Sequence, residues 1–533
     1  MSAIGRASAN VAAGTLVSRA TGLVRSVVLA SALGVSQAPA ANAFGVANQL
    51  PNNIYAIISS GLLAGVIVPQ IVRASRTHED GGNAFVSKLL TLGVVVLGAT
   101  TVLAVLAAPL LVSLFGGLMD PAAVALTMAF AYWCLPQIFF YGLYALLGEI
   151  LNAKKVFGPF AWSPIINNVV SIIGFLAFIW LFGVRTQATG WTPEMIALMA
   201  GTATLGIVMQ ALVLLGFWRK AGLHLRPDFG WRGIGLGQVG RLAGWTFSMV
   251  IVGQIAGMVQ TRFAGTASEA GASVAAMQFS WLVFMLPFSV IVLSIGTPYF
   301  TQLSTHAAQG DTDSVRKDLN TSTRIIGLLI VGALAAVFAA ILPISRVFSH
   351  SPNEAREMSL VLAAYLVALV PLAVQFVIQR TFYAYQDTRT PFFFTLVQSV
   401  LVIATAWIAL LTVPKAYLAF GIALGQSIAN ILQLVLAAWL LRRKLGTLGM
   451  RSAFVALGGF LLAAVPAAGA GWLTYFLLGG DEGWFMADKF APLLAVVLIG
   501  GVSLLVYVAF LALFRTSELG VVTRLVKRLL PGR

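Results

Sequence analysis

Two arginines, Arg19 and Arg25, sit inside an otherwise apolar stretch, TLVSRATGLVRSVVLASALG. A charged side chain deep in a membrane helix costs roughly 2.5–3.5 kcal/mol unless it meets water or a partner. The pair therefore calls for a polar cavity. Guanidinium groups take phosphate oxygens bidentately, so two of them in one cavity suit a pyrophosphate. On a straight helix this spacing leaves them about 120° apart, and a bend at Gly22 or a wide cavity would bring both to one ligand. The competing reading pairs each arginine with helix-end carbonyls or lets it snorkel to an interface. In the next apolar stretch Asn42, Asn48, Asn52, Asn53, Ser59 and Ser60 form a polar strip broken by Pro51. Such a strip lines a hydrated cavity or glues helices together by hydrogen bonds.

Other chemistries find little support. Of the 17 Asp and Glu residues all but Glu149 fall in predicted loops or at helix ends, so neither paired-acid catalysis nor a buried carboxylate relay is expected. Glu149, close to Lys154 and Lys155, reads as half of an ion pair at a membrane rim. The histidines His78, His224, His306 and His350 lie in loop-like segments without metal-ligand spacing, and the single Cys134 excludes a disulfide framework. No catalytic residue, metal site or cofactor is expected, and the chain reads as a transporter rather than an enzyme.

The elements that position the arginines follow from composition. Of 533 residues 59% are hydrophobic and 9% charged, more apolar side chain than a soluble fold of this length could bury. Spans are expected at 9–34, 40–72, 86–114, 122–149, 159–182, 195–218, 238–262, 270–303, 320–345, 355–384, 391–412, 416–441, 452–478 and 490–514. This is an all-α polytopic membrane protein of about fourteen transmembrane helices. Arg6 precedes a first stretch too long for a secretory signal, and that helix is expected to be retained. The net charge of +16 is spread between the spans rather than gathered in a basic domain, so no nucleic-acid partner is expected. With the N-terminus inside, the outer segments hold only Arg185, Arg262, Arg346, Arg356, Lys415 and Lys489, and nearly all other Lys and Arg lie inside. Both termini are thus expected in the cytoplasm. The tail 515–533 places Val522, Leu525, Val526 and Leu529 at helical spacing beside Arg524, Lys527 and Arg528, the pattern of an amphipathic helix on an anionic leaflet.

Prolines and their neighbours recur at a nearly constant interval of about 230 residues, the mark of a duplicated bundle. Pro69 matches Pro298, Pro109 matches Pro343, Pro136 matches Pro371 and Pro159 matches Pro391. The expected organisation is an N-lobe at 1–218 with helices one to six, a linker at 219–241 and a C-lobe at 242–445 with helices seven to twelve. Helices thirteen and fourteen at 446–514 and the basic tail at 515–533 follow. An even helix number gives the lobes one orientation, and a cavity between two such lobes suits alternating access.

The stretches TLVSRATGLVRSVVLASALG, ANAFGVANQLPNNIY, IVPQIVRA, ILNAKKVFGP and FYAYQDTRTP resemble the MurJ (MviN) lipid II flippases, within the multidrug, oligosaccharidyl-lipid and polysaccharide exporter group. The resemblance covers almost the whole chain and is most specific at 14–73. It implies a bacterial inner-membrane protein that flips undecaprenyl-pyrophosphate-linked peptidoglycan precursor, with a central cavity and a lipid-tail groove near helices thirteen and fourteen. Arg19, Arg25 and Asn52 fall on the family's cavity residues, with Asn42, Ser60 and Arg262 as further candidates for substrate contact. The partners implied are lipid II or a related polyprenyl-pyrophosphate glycolipid, membrane lipids and cell-wall synthesis proteins, and the energy source is a coupling ion or the membrane potential. Where the family carries an arginine and a glutamate in the second helix and again in the eighth, this chain has Tyr55, Ser60, Leu282 and Met285. Two readings stay beside the flippase: an exporter of another glycolipid or small molecule, and a transport-silent scaffold of cell-wall synthesis.

Overall fold

Cap residues followed by proline start several of the helices. Asp120 precedes Pro121 and accepts from the Ala122 N–H at 2.9 Å, Thr192 precedes Pro193 and accepts from Met195 at 3.4 Å, and Ser351 precedes Pro352 and accepts from Glu354 at 3.3 Å. In each, a side-chain oxygen satisfies an orphan N–H while proline at the first turn forfeits nothing. The computed structural model describes residues 3–62, 80, 82–154, 156, 158–218, 222, 226–230, 237–487, 491–516 and 518–520, without the side chains of 3–12, 58–62, 237–243 and 487.

Among the described residues the regular secondary structure is helix, with one isolated bridge, Ser36 to Ala272. The helices are α1 (Ala3–Leu33), α2 (Pro39–Leu62), α3 (Asn83–Leu106), α4 (Ala108–Gly116), α5 (Pro121–Cys134), α6 (Gln137–Ala153), α7 (Gly158–Phe182), α8 (Pro193–Leu215) and α9 (Gly237–Ala264). They continue with α10 (Val274–Pro287), α11 (Leu293–Ala308), α12 (Thr312–Ala339), α13 (Ile341–Phe348), α14 (Pro352–Leu366), α15 (Leu369–Ala384) and α16 (Arg389–Thr412). The last are α17 (Leu418–Leu445), α18 (Arg451–Leu477), α19 (Trp484–Ala487) and α20 (Ala491–Leu513). Among the described residues 12 segments are long and apolar enough to cross a membrane. The expected second and seventh spans correspond to α2 and α9, helices of 24 and 28 residues. The second span ends for description at Leu62, and Pro69 with its neighbours lies outside the described residues.

Several expected spans are interrupted rather than continuous, and proline is the reason, since it lacks an N–H and its ring clashes with the carbonyl four residues back. The third span breaks at Ala107, two residues before Pro109, and the ninth breaks at Ala340, three before Pro343. The fourth breaks around Pro136 and the tenth at Val367–Ala368, ahead of Pro371. The eighth passes through a π-helical segment, Phe288–Val292, immediately after Pro287. Corresponding prolines of the sequence repeat thus mark corresponding breaks.

The chain divides into two compact units, Met1–Ala275 and Ala276–Arg533. They part at a different place from the 219–241 loop expected as a linker, most of which lies outside the described residues. Helix α9 falls in the first unit, against α2 and α4. In that unit α7 packs on α1 and α8, and α5 on α2. An aromatic core joins them: Phe44 meets Phe130 edge-on at 5.4 Å, and Trp191 stacks on Phe178 at 5.4 Å. In the second unit α12 packs on α15, α18 and α20, and α16 on α17. Outward-facing Trp180, Leu106 and Leu477 are 84%, 74% and 78% exposed, a surface that only lipid solvates without penalty.

Candidate functional site

Helix α1 carries both arginines half-buried and runs unbroken through Gly22. The turn around that glycine is tied to α7 by hydrogen bonds. Asn168 of α7 donates to the Ser18 carbonyl and the Thr21 hydroxyl, each at 3.0 Å. Thr21 donates to the Val17 carbonyl and Ser26 to the Gly22 carbonyl, both at 3.0 Å. Gly22 itself lies against Asn168. The helical assignment is continuous from Arg19 to Arg25, a spacing that corresponds to about 120° on a straight helix.

Arg25 has a phenol beside it that the sequence did not single out. Its guanidinium lies within electrostatic range of Tyr141 on α6, and the Tyr141 ring stacks on Tyr55 of α2, centroids 5.8 Å apart and planes 25° off parallel. Tyr55 stands where the resemblance implies an arginine. Three helices thus converge on a cation, a hydroxyl and a flat aromatic platform, a set that accepts an anionic group on the guanidinium and an apolar or sugar face on the rings. Tyr141 sits among the aromatic and apolar residues of Gln137–Ala153 with nothing in the sequence to set it apart, so only packing reveals it.

The polar strip of α2 splits into two roles. Asn42 is 1% exposed, and its side-chain oxygen accepts the Ala275 N–H at 2.8 Å, which commits it to holding the chain together. Asn48 accepts from Gln137 of α6 at 3.3 Å, and Gln137 also donates to Thr204 of α8 at 2.9 Å, so this network glues helices. Asn53 is buried, whereas Asn52 is exposed and available for contact. The side chains of Ser59 and Ser60 lie outside the described residues. Arg262 donates to the Ser113 carbonyl at 3.1 Å and the Leu114 carbonyl at 3.5 Å, where it caps the end of α4. Among the described residues Glu149 forms no ion pair. Asn152 is a hydrogen-bond partner of its carboxylate, and Lys155 of the expected rim pair lies outside the described residues.

The second unit treats its charges differently. Leu282 and Met285 are half-buried, apolar residues of α10. Arg380 of α15 is caged by rings, its guanidinium carbon 4.9 Å from the Phe376 centroid, 5.1 Å from Phe300 and 6.0 Å from Tyr383. His306, expected to be a solvated loop residue, lies with Nδ1 2.8 Å from an Asp318 carboxylate oxygen.

The sequence model of the family described as "Lipid II flippase MurJ" matches residues 29–516. A "Probable lipid II flippase MurJ" of Haemophilus influenzae is 26% identical over 96% of this chain and 100% of its own. A "Lipid II flippase MurJ" of Burkholderia cenocepacia is 26% identical over 72% of this chain and 74% of its own. Among solved structures, a lipid II flippase MurJ in an inward closed conformation superposes with a TM-score of 0.71 at 21% identity, covering 95% of this chain and 98% of that one. An inward-facing multidrug transporter of the MATE family gives 0.63 at 18% identity, covering 81% and 95%. These two likenesses establish a shared fold, and the family match along nearly the whole sequence places the chain in the MurJ family.

Proposed function

We propose that this protein is a lipid II flippase, translocating a polyprenyl-pyrophosphate-linked peptidoglycan precursor across the bacterial inner membrane by alternating access. The observation that carries the reading is the retention, in a helix surrounded by apolar residues, of Arg19 and Arg25, with Tyr141 and Tyr55 beside the latter. Two guanidiniums at membrane depth have a use if the cargo brings phosphates into the bilayer. Family membership supports the same cargo, since the curated relatives carry the lipid II flippase name. The proposed orientation has both termini in the cytoplasm, from the Lys and Arg distribution between spans. A pyrophosphate moving outward then runs down the membrane potential, worth about 2.3 kcal/mol per charge per 100 mV, which would drive the cycle without a cofactor.

The test is depletion of the protein in its host, with lipid II in the outer leaflet as the readout. Wild type should restore exposure, and Arg19→Ala and Arg25→Ala at matched membrane levels should not. Unchanged exposure after depletion would overturn the reading and favour the scaffold, a role motivated by Leu282 and Met285 at positions of expected charge.

A further inference from the structure

Within the second unit, the last turn of α18 and the break between α12 and α13 border a cavity of about 560 Å3, the size of a small-molecule site. One side is aromatic. Trp472 and Phe476, one turn apart on α18, are 44% and 60% exposed, and their ring planes stand 71° apart with centroids 6.0 Å from each other. The two rings make a corner, and Ile341 and Leu342 add to the apolar lining. The chain leaves α18 through two glycines in left-handed conformations, Gly479 at φ 106 and Gly480 at φ 57, which glycine adopts without steric cost. They lay the short turn Gly480–Glu482 beside the rings, so close that a Cβ on Gly480 would stand 3.6 Å from Phe476.

That turn brings two carboxylates to the cavity, and the fold itself uses one of them. Asp481 accepts from the Tyr475 hydroxyl on one oxygen and from Arg356 of α14 at 2.7 Å on the other. Arg346 of α13 is buried and donates to the Met486 carbonyl at 2.9 Å, which fastens the residues after the turn to α13. The two arginines that reach this loop are thus engaged. Glu482 is exposed, and among the described residues it forms no ion pair.

A carboxylate without a counter-charge beside two open ring faces selects its guest by charge. A phosphate or a carboxylate would meet Glu482 as a like charge. A neutral apolar guest would cover the rings and strip water from Glu482 with nothing in return. An aromatic belt at a membrane edge accounts for the rings and leaves Glu482 without a role. An ammonium group suits both parts, because ring faces attract a cation and the carboxylate supplies the opposite charge.

We propose that this cavity binds an organic ammonium ion, seated in the corner between Trp472 and Phe476 with Glu482 as its counter-ion. Asp481, held by Arg356 and Tyr475, positions the turn. The amine of a lipid head group and a free amine share this chemistry, and the site does not depend on what the protein transports.

The experiment places the full-length protein in dioleoylphosphatidylglycerol nanodiscs, which carry no amine, and titrates choline. Binding is read by saturation-transfer NMR on the trimethylammonium protons, against empty nanodiscs. Glu482→Gln and Trp472→Leu change exposed side chains and should melt at the wild-type temperature. Each should weaken choline about fivefold or more, while Glu194→Gln, at an exposed carboxylate of the first unit, should bind as wild type. The neutral isostere of choline, with a tert-butyl group in place of the trimethylammonium, should not compete. Adding phosphatidylethanolamine to the nanodiscs separates the two sources: loss of the choline signal assigns the site to a lipid amine, an unchanged signal to a soluble one. Equal binding by Glu482→Gln would overturn the proposal, as would competition by the neutral isostere, which would mark an apolar crevice.

Discussion

The two units break their helices at corresponding prolines yet close one corresponding helix pair with the residues exchanged. In the first unit Gly174 of α7 faces Thr202 of α8, and a Cβ on that glycine would meet the Thr202 Oγ1 at 2.2 Å. In the second, Thr405 of α16 faces Gly425 of α17, where an added Cβ would meet the threonine Cβ at 2.6 Å. The same close approach is reached from opposite sides, so the contact itself, rather than either residue, is what the duplicated bundle keeps. Charge has diverged further. The first unit carries Arg19 and Arg25 within α1, whereas the second holds ion pairs near helix ends, Lys444 with Asp387 at 2.9 Å and Arg356 with Asp481 at 2.7 Å, and pairs Arg324, within α12, with Glu518. The caged Arg380 fits the same contrast, its charge spread over three aromatic faces. The contrast is one of placement, with charge inside a helix in the first unit and in ion pairs or against aromatic faces in the second.

The largest expected effect tests that contrast directly. Arg25→Ala should lower outer-leaflet lipid II by tenfold or more, on the order of 2 kcal/mol for losing a charge-assisted contact to phosphate. Arg380→Ala should change it less than about threefold, within the range of an exposed cation–π contact. Equal losses would end the contrast between the units. Next, Gly174→Thr should destabilise the first unit by about 1–3 kcal/mol through overpacking, read as thermal unfolding in detergent. Adding Thr202→Gly, which copies the arrangement of the second unit, should recover most of that loss. A double variant no better than the single would show that the exchange is not equivalent. Tyr55→Ala removes the ring stacked on Tyr141 and should cost about 1 kcal/mol, seen as a several-fold weaker rescue with normal membrane levels.

The smallest effect concerns the ion pairs of the second unit. Burial pushes the Asp387 carboxyl up, but hydrogen bonds from Lys444 and Thr390 outweigh it and hold the group below the usual carboxylate range. A depressed folded-state value means stability that is complete above the unfolded pKa, about 3.9, and is lost as the pH falls through the folded value. Asp387→Asn should therefore lower the melting temperature near neutral pH, by about 1 kcal/mol or less. The gap to wild type should close as the pH drops below about 4. A gap that persists in acid would assign the effect to packing.

The sequence by itself determined the class of protein. Apolar run length demands lipid, whereas the breaks near Pro109, Pro136, Pro343 and Pro371 fall inside spans expected to be continuous, and α2, α7, α11 and α18 run through Pro51, Pro164, Pro298 and Pro466, so packing decides which prolines interrupt a helix. The sequence also exposed Arg19 and Arg25, because charge in an apolar run stands out without any structure. Tertiary packing alone decided which polar residues are occupied. Asn42 and Arg262 have the composition of site residues, yet a backbone N–H from Ala275 and the end carbonyls of α4 claim them. Tyr141 was invisible in the sequence for the converse reason: its neighbours Arg25 and Tyr55 are distant along the chain, and hydrophobic periodicity records which face is buried, not what it is buried against.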